Sequence, residues 1–155
     1  GGVLCASAAQ EELTREQKNK LLVDVAIGAM NDGDWELMSK LYSPRFVQHS
    51  PGDTKTITWA DFELNSRIMK NKFPTLRLEI EDIIAEGDKV AVRLKTVVTF
   101  KESHSYYIRG PGKVEFKEID IMRITGGRIV EEWCESDTEV WIKKLRKLTS
   151  VKTWK

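Results

Sequence analysis

The amino-acid sequence predicts an α+β domain in which a curved antiparallel sheet of about four long strands wraps around three N-terminal helices. Two observations lead to this fold class. Apolar residues recur at helical spacing up to Phe73, whereas after Pro74 they alternate with polar residues, as in half-buried strands. Tight turns then join successive strand-like segments, which is typical of antiparallel hairpins. Such a sheet with helices across one face forms a cone with an apolar pocket, where a ligand would bind.

Capping and breaking residues bound the first two helices. Thr14 and Gln17 fit a capping box, with Gln17 at the third helical position, so the first helix is predicted to begin here. The segment NDGD at residues 31–34 ends this helix. Its last residue, Asp34, is a favourable cap for a second, shorter helix that begins at Trp35.

The next segment is predicted to be a loop followed by the third helix. Residues 43–53 contain two prolines and are predicted to form a loop that encloses a short extended piece from Phe46 to His49. Residues 58–73 show helical spacing of their apolar side chains and are predicted to form the third helix. Pro74 ends it, because the residue before a proline is disfavoured in the helical conformation.

Alternation and turns define the strands. EGDK at residues 86–89 and TGGR at residues 125–128 are predicted to be tight turns, the second of them a hairpin turn that requires positive φ angles. A longer loop is predicted over residues 101–113, and a short helix over residues 138–148. The four strands are predicted within residues 76–87, 90–100, 114–124 and 129–136.

Length and composition restrict the function classes. The 155 residues suit one domain, predicted over residues 14–149 with a C-terminal tail at residues 150–155. The 25 basic and 24 acidic residues form no long run of either sign, so no nucleic-acid partner is expected. No apolar run approaches the roughly 20 residues of a membrane span. Cys5 and Cys134 form neither metal-ligand spacing nor a disulfide framework, so no metal site is expected.

The first 13 residues are small and apolar before the chain turns abruptly polar. ASA at residues 6–8 has the small-x-small form of a signal-peptidase site. We therefore expect residues 1–13 to be the remnant of an export signal, with a tag remnant or a disordered tail as the alternative. An exported protein, periplasmic or secreted, is favoured over a cytoplasmic one.

Asp120 stands out because it lies in the middle of the apolar strand FKEIDIMRI. Alternation places it on one face with Glu118 and with the apolar residues Phe116, Met122 and Ile124. A carboxylate in this position lies either at a wet rim of the sheet or in the interior, where it is expected to have a function.

The opposite face of the same strand carries Ile119 and Ile121 together with Lys117 and Arg123. If the helices cover the Asp120 face, these two isoleucines are left in water. An exposed aliphatic pair rimmed by charge is typical of an interface. The sequence therefore predicts a homodimer formed through the outer face of the sheet.

Three segments resemble the SnoaL-like polyketide cyclase family. They are FPTLRLEIEDIIAEGDKVAVRLK, VEFKEIDIMRITGGRIVEEW and FVQHSPG, at residues 73–95, 114–133 and 46–52. The likeness runs from residue 17 to residue 145 and implies the cone-shaped fold shared with nuclear transport factor, ketosteroid isomerase and scytalone dehydratase. It also implies an acid/base enzyme that needs no cofactor, although this superfamily includes plain binding modules as well.

The resemblance gives Asp120 its expected role. Asp120 in IDIMR matches the family's general acid/base, which moves a proton at the carbon between carbonyls during ring closure. Burial and the like charge of Glu118 would raise the pKa of Asp120 and make it a better base for a carbon acid. The alternative is that Asp120 pairs with Arg93 or Arg123, or stays hydrated at the mouth of the cone.

His49 matches the histidine of the family's H-x-P loop near the pocket mouth. It is expected to orient a substrate carbonyl or to exchange a proton with Asp120, and the structural alternative is that it fixes its loop by bonding a backbone carbonyl. The chain departs from the family at Phe100, which stands where many relatives carry a second histidine over the pocket. This departure leaves room for a simpler proton transfer or for binding alone.

The remaining candidates are charged strand residues and aromatic residues around the cone. Together the aromatic residues suggest a pocket for a flat, apolar or aromatic molecule, whereas each one singly suits the core. The substrate-binding candidates are Glu118, Arg93, Tyr42, Phe46, Trp59, Phe62, Phe100, Phe116 and Trp133.

Two functional hypotheses follow from these residues. The leading one is a SnoaL-like cyclase, isomerase or lyase that acts on a small hydrophobic carbonyl compound, with Asp120 as general base and His49 assisting. The alternative is a non-catalytic module of the same fold that binds a small hydrophobic ligand or forms dimers. A raised pKa of Asp120 favours the enzyme, and an ordinary pKa favours the binding module.

Overall fold

The computed structural model describes residues 11–49, 56–100 and 111–137, with the side chain of Phe100 excepted. The predicted N-terminal remnant up to residue 10, most of the predicted loop over 101–113 and the predicted helix over 138–148 lie outside these residues. The elements are α1 (Arg15–Asp32), α2 (Trp35–Leu41), β1 (Tyr42–His49), β2 (Ile57–Thr58), α3 (Trp59–Lys72), β3 (Arg77–Glu86), β4 (Lys89–Phe100), β5 (Gly112–Thr125) and β6 (Arg128–Ser136).

The predicted α+β fold is confirmed: helices pack on one curved, open sheet with the strand order β2-β1-β6-β5-β4-β3. The four long strands β3 to β6 form successive antiparallel hairpins, as their turns predict. Strand β1 is parallel to β6 and antiparallel to β2. None of the described helices is both long and apolar enough to cross a membrane.

Residues 42–49 form strand β1, so the extended piece predicted from Phe46 to His49 is confirmed, whereas the predicted loop is wrong for residues 43–45. Tyr42 and Phe46 are fully buried and fix this segment against the core. Its ladder partner is β6, more than 80 residues further along the chain, so no local pattern reveals the pairing. Pro44 is exposed and lies where the register between β1 and β6 shifts, which explains how a strand accommodates it.

The helix boundaries follow the predicted caps. Thr14 and Gln17 form a reciprocal capping box, with the Gln17 N–H donating to Thr14 Oγ1 at 3.2 Å and the Thr14 N–H donating to Gln17 Oε1 at 2.8 Å. Helix α1 ends at Gly33, whose φ of 69° is accessible to glycine without steric penalty. Asp34 then caps α2 by accepting the N–H of Leu37 at 3.0 Å.

The core lies between α1, α2 and one face of the sheet, which we call the inner face and define by Asp120, Met122 and Ile124 of β5. These three side chains are buried, whereas Ile119 and Ile121 on the outer face are exposed. The predicted assignment of the two faces of β5 is therefore confirmed. The largest fully buried apolar side chains are Tyr42, Phe46, Met38, Leu94, Met122 and Ile129.

A β-bulge in β6 decides which of its residues face inward. Next to the hairpin turn, Ile124 of β5 pairs with Ile129 of β6. The next residue of β5, Arg123, pairs with Glu131, so that Val130 has no counterpart. An extra residue of this kind shifts the register by one and exchanges the two faces of the strand beyond it.

The shifted register brings two polar side chains of β6 to the inner face. Beyond the bulge, Met122 pairs with Glu132 and Asp120 pairs with Cys134. Residues directly opposite each other in an antiparallel pair share a face, so Glu132 and Cys134 point inward with Asp120. Without the bulge, Asp120 would instead pair with Trp133, which now lies on the outer face.

Candidate active site

Three adjacent strands direct polar side chains into one inner cavity of about 150 Å³ beneath the helices. Strand β5 supplies Asp120, β6 supplies Glu132 and Cys134, and β1 supplies Tyr42 and Gln48. Among the residues that the structure describes, no basic side chain lines this cavity. The rest of its wall is mostly apolar and consists of Ile27, Met30, Phe62, Ser66, Leu78, Leu94, Glu118 and Met122.

An outer cavity of about 220 Å³ adjoins the inner cavity, and Phe116 and Thr96 line only the outer one. Sites for drug-sized ligands occupy roughly 300–1,000 Å³, so a ligand of that size would span both cavities. A smaller ligand would fit one of them. The two cavities share Met30, Gln48, Phe62, Ser66, Leu78 and Glu118 as lining residues.

Asp120 is the carboxyl at the centre of the inner cavity, and only 4% of it is exposed. Its Oδ1 atom has no hydrogen-bond partner among the described residues. Burial raises the pKa of Asp120 well above its ordinary value, and the nearby charges of Glu132 and Glu118 raise it further. The Cys134 thiol opposes this shift of the Asp120 pKa only in part.

Glu132 is a second carboxyl in the same cavity, with 3% of its surface exposed. Gln48 Nε2 donates a hydrogen bond to Glu132 Oε1 at 2.8 Å, whereas Glu132 Oε2 has no partner among the described residues. Burial raises the pKa of Glu132 to about 7, against the opposing effect of the Gln48 hydrogen bond. The charge of Glu118 adds to the rise.

Burial disfavours the charged forms of the other titratable groups of the cavity. Burial raises the pKa of the Cys134 thiol and of the Tyr42 hydroxyl well above their ordinary values, and the neighbouring carboxyls add to both shifts. Burial also raises the pKa of Glu118, whose Oε2 lies 3.9 Å from the Cys134 Sγ donor. Among the described residues that line the inner cavity, no cation balances these carboxyls, so their simultaneous ionisation is unfavourable.

The same cluster has the composition of a cation site. Glu118, Asp120 and Cys134 each offer one ligand atom, and these atoms lie within 4.8 Å of one another. A thiol must lose its proton before it binds a metal ion. In the metal-free protein, burial raises the pKa of the Cys134 thiol and opposes that loss.

Four of the aromatic candidates form one cluster beside the cavity. The ring of Tyr42 stacks on Trp59 at 4.8 Å, meets Phe46 edge-on at 5.0 Å and lies 5.4 Å from Phe62. Tyr42 and Phe62 also line the inner cavity, whereas Phe46 and Trp59 support them from behind. The side chain of Phe100 lies outside the described residues.

The structure does not bring His49 to Asp120. His49 pairs with Trp133 in the parallel ladder between β1 and β6, so it shares the outer face with Trp133. Its ring stacks on Trp133 at 5.5 Å, and its Nε2 lies 2.9 Å from Glu131 Oε1. The expected proton exchange between His49 and Asp120 is therefore wrong for this geometry, and among the described residues the His49 ring contacts a carboxyl side chain rather than a backbone carbonyl.

The two arginines offered as partners of Asp120 also lie on the outer face. Arg93 Nη1 lies 3.0 Å from Glu81 Oε2, and Arg123 Nε lies 3.2 Å from Glu131 Oε2. Asp120 is thus not paired with either of them. Arg93 and Trp133 are likewise not part of the inner cavity, which is a correction to their prediction as substrate-binding residues.

Sequence reasoning missed Glu132, Cys134 and Gln48. Their inward orientation depends on the bulge at Val130 and on the pairing of β1 with β6, and neither is visible in a local pattern. One signal was present in the sequence. Two consecutive glutamates within a strand, Glu131 and Glu132, necessarily point to opposite faces, so one of them had to face the interior.

An open sheet with helices on its inner face and buried carboxyls between them defines the class of cone-shaped α+β proteins that enclose a polar site in an apolar wall. A model of the SnoaL-like polyketide cyclase family matches residues 20–139. The chain belongs to this family. A search of curated proteins found no match.

Solved structures show the same fold. AclR from Streptomyces galilaeus, described provisionally as a hydroxylase, is 26% identical, with 84% of this chain and 97% of that chain covered at a TM-score of 0.72. IdmH from Streptomyces antibioticus, described provisionally as a polyketide cyclase, is 24% identical, with 82% and 97% covered at a TM-score of 0.72. TsrD from Streptomyces laurentii is 20% identical, with 86% and 98% covered at a TM-score of 0.68.

Proposed function

We propose that the protein is a cofactor-independent acid/base enzyme, a cyclase, isomerase or lyase, that acts on a small hydrophobic carbonyl compound. Asp120 is the group that moves the proton. One observation carries this proposal: a carboxyl with 4% exposure lines an apolar cavity with one oxygen left without a hydrogen-bond partner among the described residues. Perturbed carboxyls that line a cavity are candidates for a catalytic role.

The chemistry suits proton transfer next to a carbonyl group. A carboxyl with a raised pKa is a stronger base and can also donate its proton, which matches the needs of enol formation near neutral pH. The apolar part of the wall lowers the local polarity and so strengthens each interaction with the developing charge. A neutral substrate fits better than an anionic one, because the described lining residues of the inner cavity include three carboxyls and no cation.

The similar structures support the fold rather than the reaction. AclR and IdmH are described provisionally as a hydroxylase and a polyketide cyclase, which are different activities on one fold. The proposed reaction class therefore depends on the carboxyls of this chain. Family membership adds the expectation of a cyclase-like reaction, in which a proton leaves a carbon between carbonyl groups.

The test is hydrogen–deuterium exchange at the central carbon of benzoylacetone, a flat aromatic diketone, followed by NMR in deuterated buffer. We expect the wild-type protein to accelerate the exchange and Asp120→Asn to lose roughly 10²–10⁴-fold of that rate. Asp88→Asn is the matched control, since Asp88 lies near Arg123 in a turn outside the cavity, and it should keep the wild-type rate. An Asp120→Asn protein that is folded and fully active would overturn the proposal.

A second candidate function is binding without turnover. The rings of Tyr42 and Phe62 favour it, because both line the inner cavity and offer a flat molecule an aromatic wall without any reacting group. Calorimetric binding of benzoylacetone by the wild-type protein with no acceleration of its exchange would select this function over the enzyme.

We also propose a homodimer that forms through the outer face of the sheet. Paired positions place Ile84, Ala91, Ile121 and Trp133 in one row across β3, β4, β5 and β6. Ile84 and Ile121 are 64% and 39% exposed. A row of apolar side chains across an exposed sheet face suits contact with a second copy of the same face, related by a twofold axis.

A further inference from the structure

The inner cavity holds a second buried carboxyl that the proposed reaction does not yet use. We propose that Glu132 is a catalytic residue that works as a pair with Asp120, and that in the free protein Glu132 holds the negative charge of the pair while Asp120 holds its proton. This proposal deepens the proposed acid/base function and rests on it for the catalytic part. The placement of charge and proton can be tested on its own.

The hydrogen bond from Gln48 decides where the charge lies. Gln48 is paired with Glu132 in the parallel ladder, and its Nε2 donates to Glu132 Oε1 at 2.8 Å. A bond from an N–H donor is stronger to a carboxylate than to a neutral carboxyl, so it favours the charged form of Glu132. Asp120 has no comparable donor, because its neighbour Cys134 offers only a weak thiol donor and its Oδ1 is without a partner among the described residues.

The titratable side chains around Asp120 and Glu132 favour a state in which these two carboxyls share one proton. Strand β1 contributes Tyr42, β5 contributes Glu118 and β6 contributes Cys134, while α1, α3, β3 and β4 contribute only apolar or hydroxyl side chains to the inner cavity. Tyr42 and Cys134 stay neutral because burial raises their pKa values. Glu118 is a further carboxyl, and burial disfavours its own negative charge. Asp120 and Glu132 are diagonal neighbours on the inner face of β5 and β6, and a charge on Glu132 disfavours a charge on Asp120.

The free oxygens of the pair allow a balanced reaction step. Glu132 Oε2 takes a proton from the carbon next to the substrate carbonyl, and the electrons of the broken C–H bond form the carbon–carbon double bond of an enol. The carbonyl oxygen accepts the proton of Asp120, whose O–H bond breaks. The pair begins with one proton and one negative charge and ends with the same total, so the charge of the buried cavity does not change during the step.

The first test is a side-chain carboxyl titration by NMR on protein labelled with carbon-13 at Asp and Glu. The signals are assigned by their loss in Asp120→Asn and Glu132→Gln. We expect Asp120 to remain protonated at neutral pH while Glu132 titrates near its pKa of about 7. Glu132→Gln should lower the pKa of Asp120, because it removes a neighbouring charge. Glu131→Gln, the same change one residue away on the outer face, should leave the pKa of Asp120 unchanged.

Two titration results would overturn the assignment. One is an Asp120 pKa that does not move in Glu132→Gln, and the other is an ionised Asp120 beside a protonated Glu132. If Glu132→Gln fails to fold, Gln48→Leu decides the matter instead. Loss of the Gln48 donor should raise the pKa of Glu132, and an unchanged pKa would contradict the proposal.

The second test is the exchange of benzoylacetone as a function of pH. The wild-type rate should rise as Glu132 ionises and fall as Asp120 loses its proton, which gives a bell-shaped profile. Gln48→Leu should move the rising limb to higher pH, an effect that a purely structural role of Gln48 would not produce. Glu132→Gln should lose at least roughly 10²-fold of the rate, and Glu131→Gln should keep it.

Negative results in the two tests contradict different parts of the proposal. If the wild-type protein does not accelerate the exchange at all, the proposed enzyme function fails, and the titration alone still decides where the pair keeps its proton. If the wild type is active and Glu132→Gln keeps its rate, the catalytic role of Glu132 is wrong while the role of Asp120 stands.

Discussion

Glu131 and Glu132 are neighbours in β6 and have opposite surroundings. Glu131 lies on the outer face, 3.2 Å from Arg123 Nε and 2.9 Å from His49 Nε2. Glu132 lies on the inner face, fully buried, with an amide as the hydrogen-bond donor and no cation among the described lining residues of its cavity. The two faces of one sheet thus give a glutamate side chain different surroundings, with ion-pair partners on the outer face and burial on the inner face.

The difference separates a structural face from a functional one. On the outer face, Glu81 also lies near two cations, Arg93 at 3.0 Å and Lys117 at 3.3 Å, so carboxylates there are paired and partly hydrated. On the inner face, burial of a carboxyl without a cation is unfavourable and raises its pKa. A protein that retains such carboxyls for no function would be more stable with neutral residues in their place.

The largest expected effect concerns the pH dependence of stability. The pKa of Glu132 is raised from 4.5 to about 7 in the folded state, so its contribution is fully present below pH 4.5 and is lost as the pH rises through about 7. The shift corresponds to a loss of about 3 kcal/mol in the free energy of unfolding. The pKa values of Asp120 and Glu118 are raised in the same direction and add to the loss.

Urea unfolding at a series of pH values between mildly acid and mildly alkaline conditions measures this loss. Glu132→Gln should show a flatter dependence on pH and should be more stable than the wild type under alkaline conditions. Glu131→Gln should keep the wild-type slope, since Glu131 lies on the outer face. Equal slopes for the wild type and Glu132→Gln would show that Glu132 is not the buried carboxyl described above.

A second prediction compares the same truncation on the two faces of β4. Val92 is fully buried and pairs with Asp120, whereas Val97 is on the outer face and partly exposed. Val92→Ala should lower the free energy of unfolding by about 2 kcal/mol, because it removes two buried methyl groups and leaves a cavity. Val97→Ala should change it by less than about 0.5 kcal/mol, as is usual for surface changes. Equal losses in urea unfolding would contradict the assignment of the two faces.

A third prediction tests whether the outer face forms the proposed dimer. Ile121→Glu places a charge in the apolar row of both copies at once, so it should weaken the dimer at least tenfold while the monomer stays folded. Light scattering at micromolar concentration and circular dichroism measure the two effects. Ile68→Glu is the matched control, because Ile68 is an exposed isoleucine on α3. A wild-type protein that is monomeric under these conditions would exclude the dimer.

Most of the fold could be predicted from the sequence, because local patterns determine it. The caps at Thr14 and Asp34 and the turn at Gly126 and Gly127, both with positive φ, act within a few residues. Strand β1 could be predicted only from Phe46 to His49, because its partner β6 is distant in the chain and Pro44 suggested a loop. Pairing of this kind depends on tertiary contacts that outweigh local preference.

The site could be predicted only in part for a related reason. Asp120 follows from alternation within a single strand, which needs no knowledge of its neighbours. Glu132, Trp133 and His49 depend on the register between strands, and the single extra residue at Val130 exchanges inner and outer faces beyond it. Nothing in the composition of a strand reveals such an extra residue.

The smallest expected effect on stability is that of a Glu→Gln change on the outer face. Its sign is opposite to that of the same change on the inner face under alkaline conditions. Glu81→Gln removes the ion pairs to Arg93 and Lys117, both of which are largely exposed. Pairs of this kind contribute up to about 1 kcal/mol each, and salt screens them. We therefore expect Glu81→Gln to lower the free energy of unfolding by less than about 1 kcal/mol at low salt, and by less still at high salt.

The same Glu→Gln change thus lowers stability on the outer face and raises it on the inner face under alkaline conditions. Both variants are measured by urea unfolding in one buffer series, with pH and salt varied separately. The opposite signs follow from the surroundings alone, since the side chain and the substitution are identical. If Glu81→Gln also stabilised the protein, the charge of Glu81 would be unfavourable in spite of its ion pairs. The proposed contrast between the inner and outer faces would then be wrong.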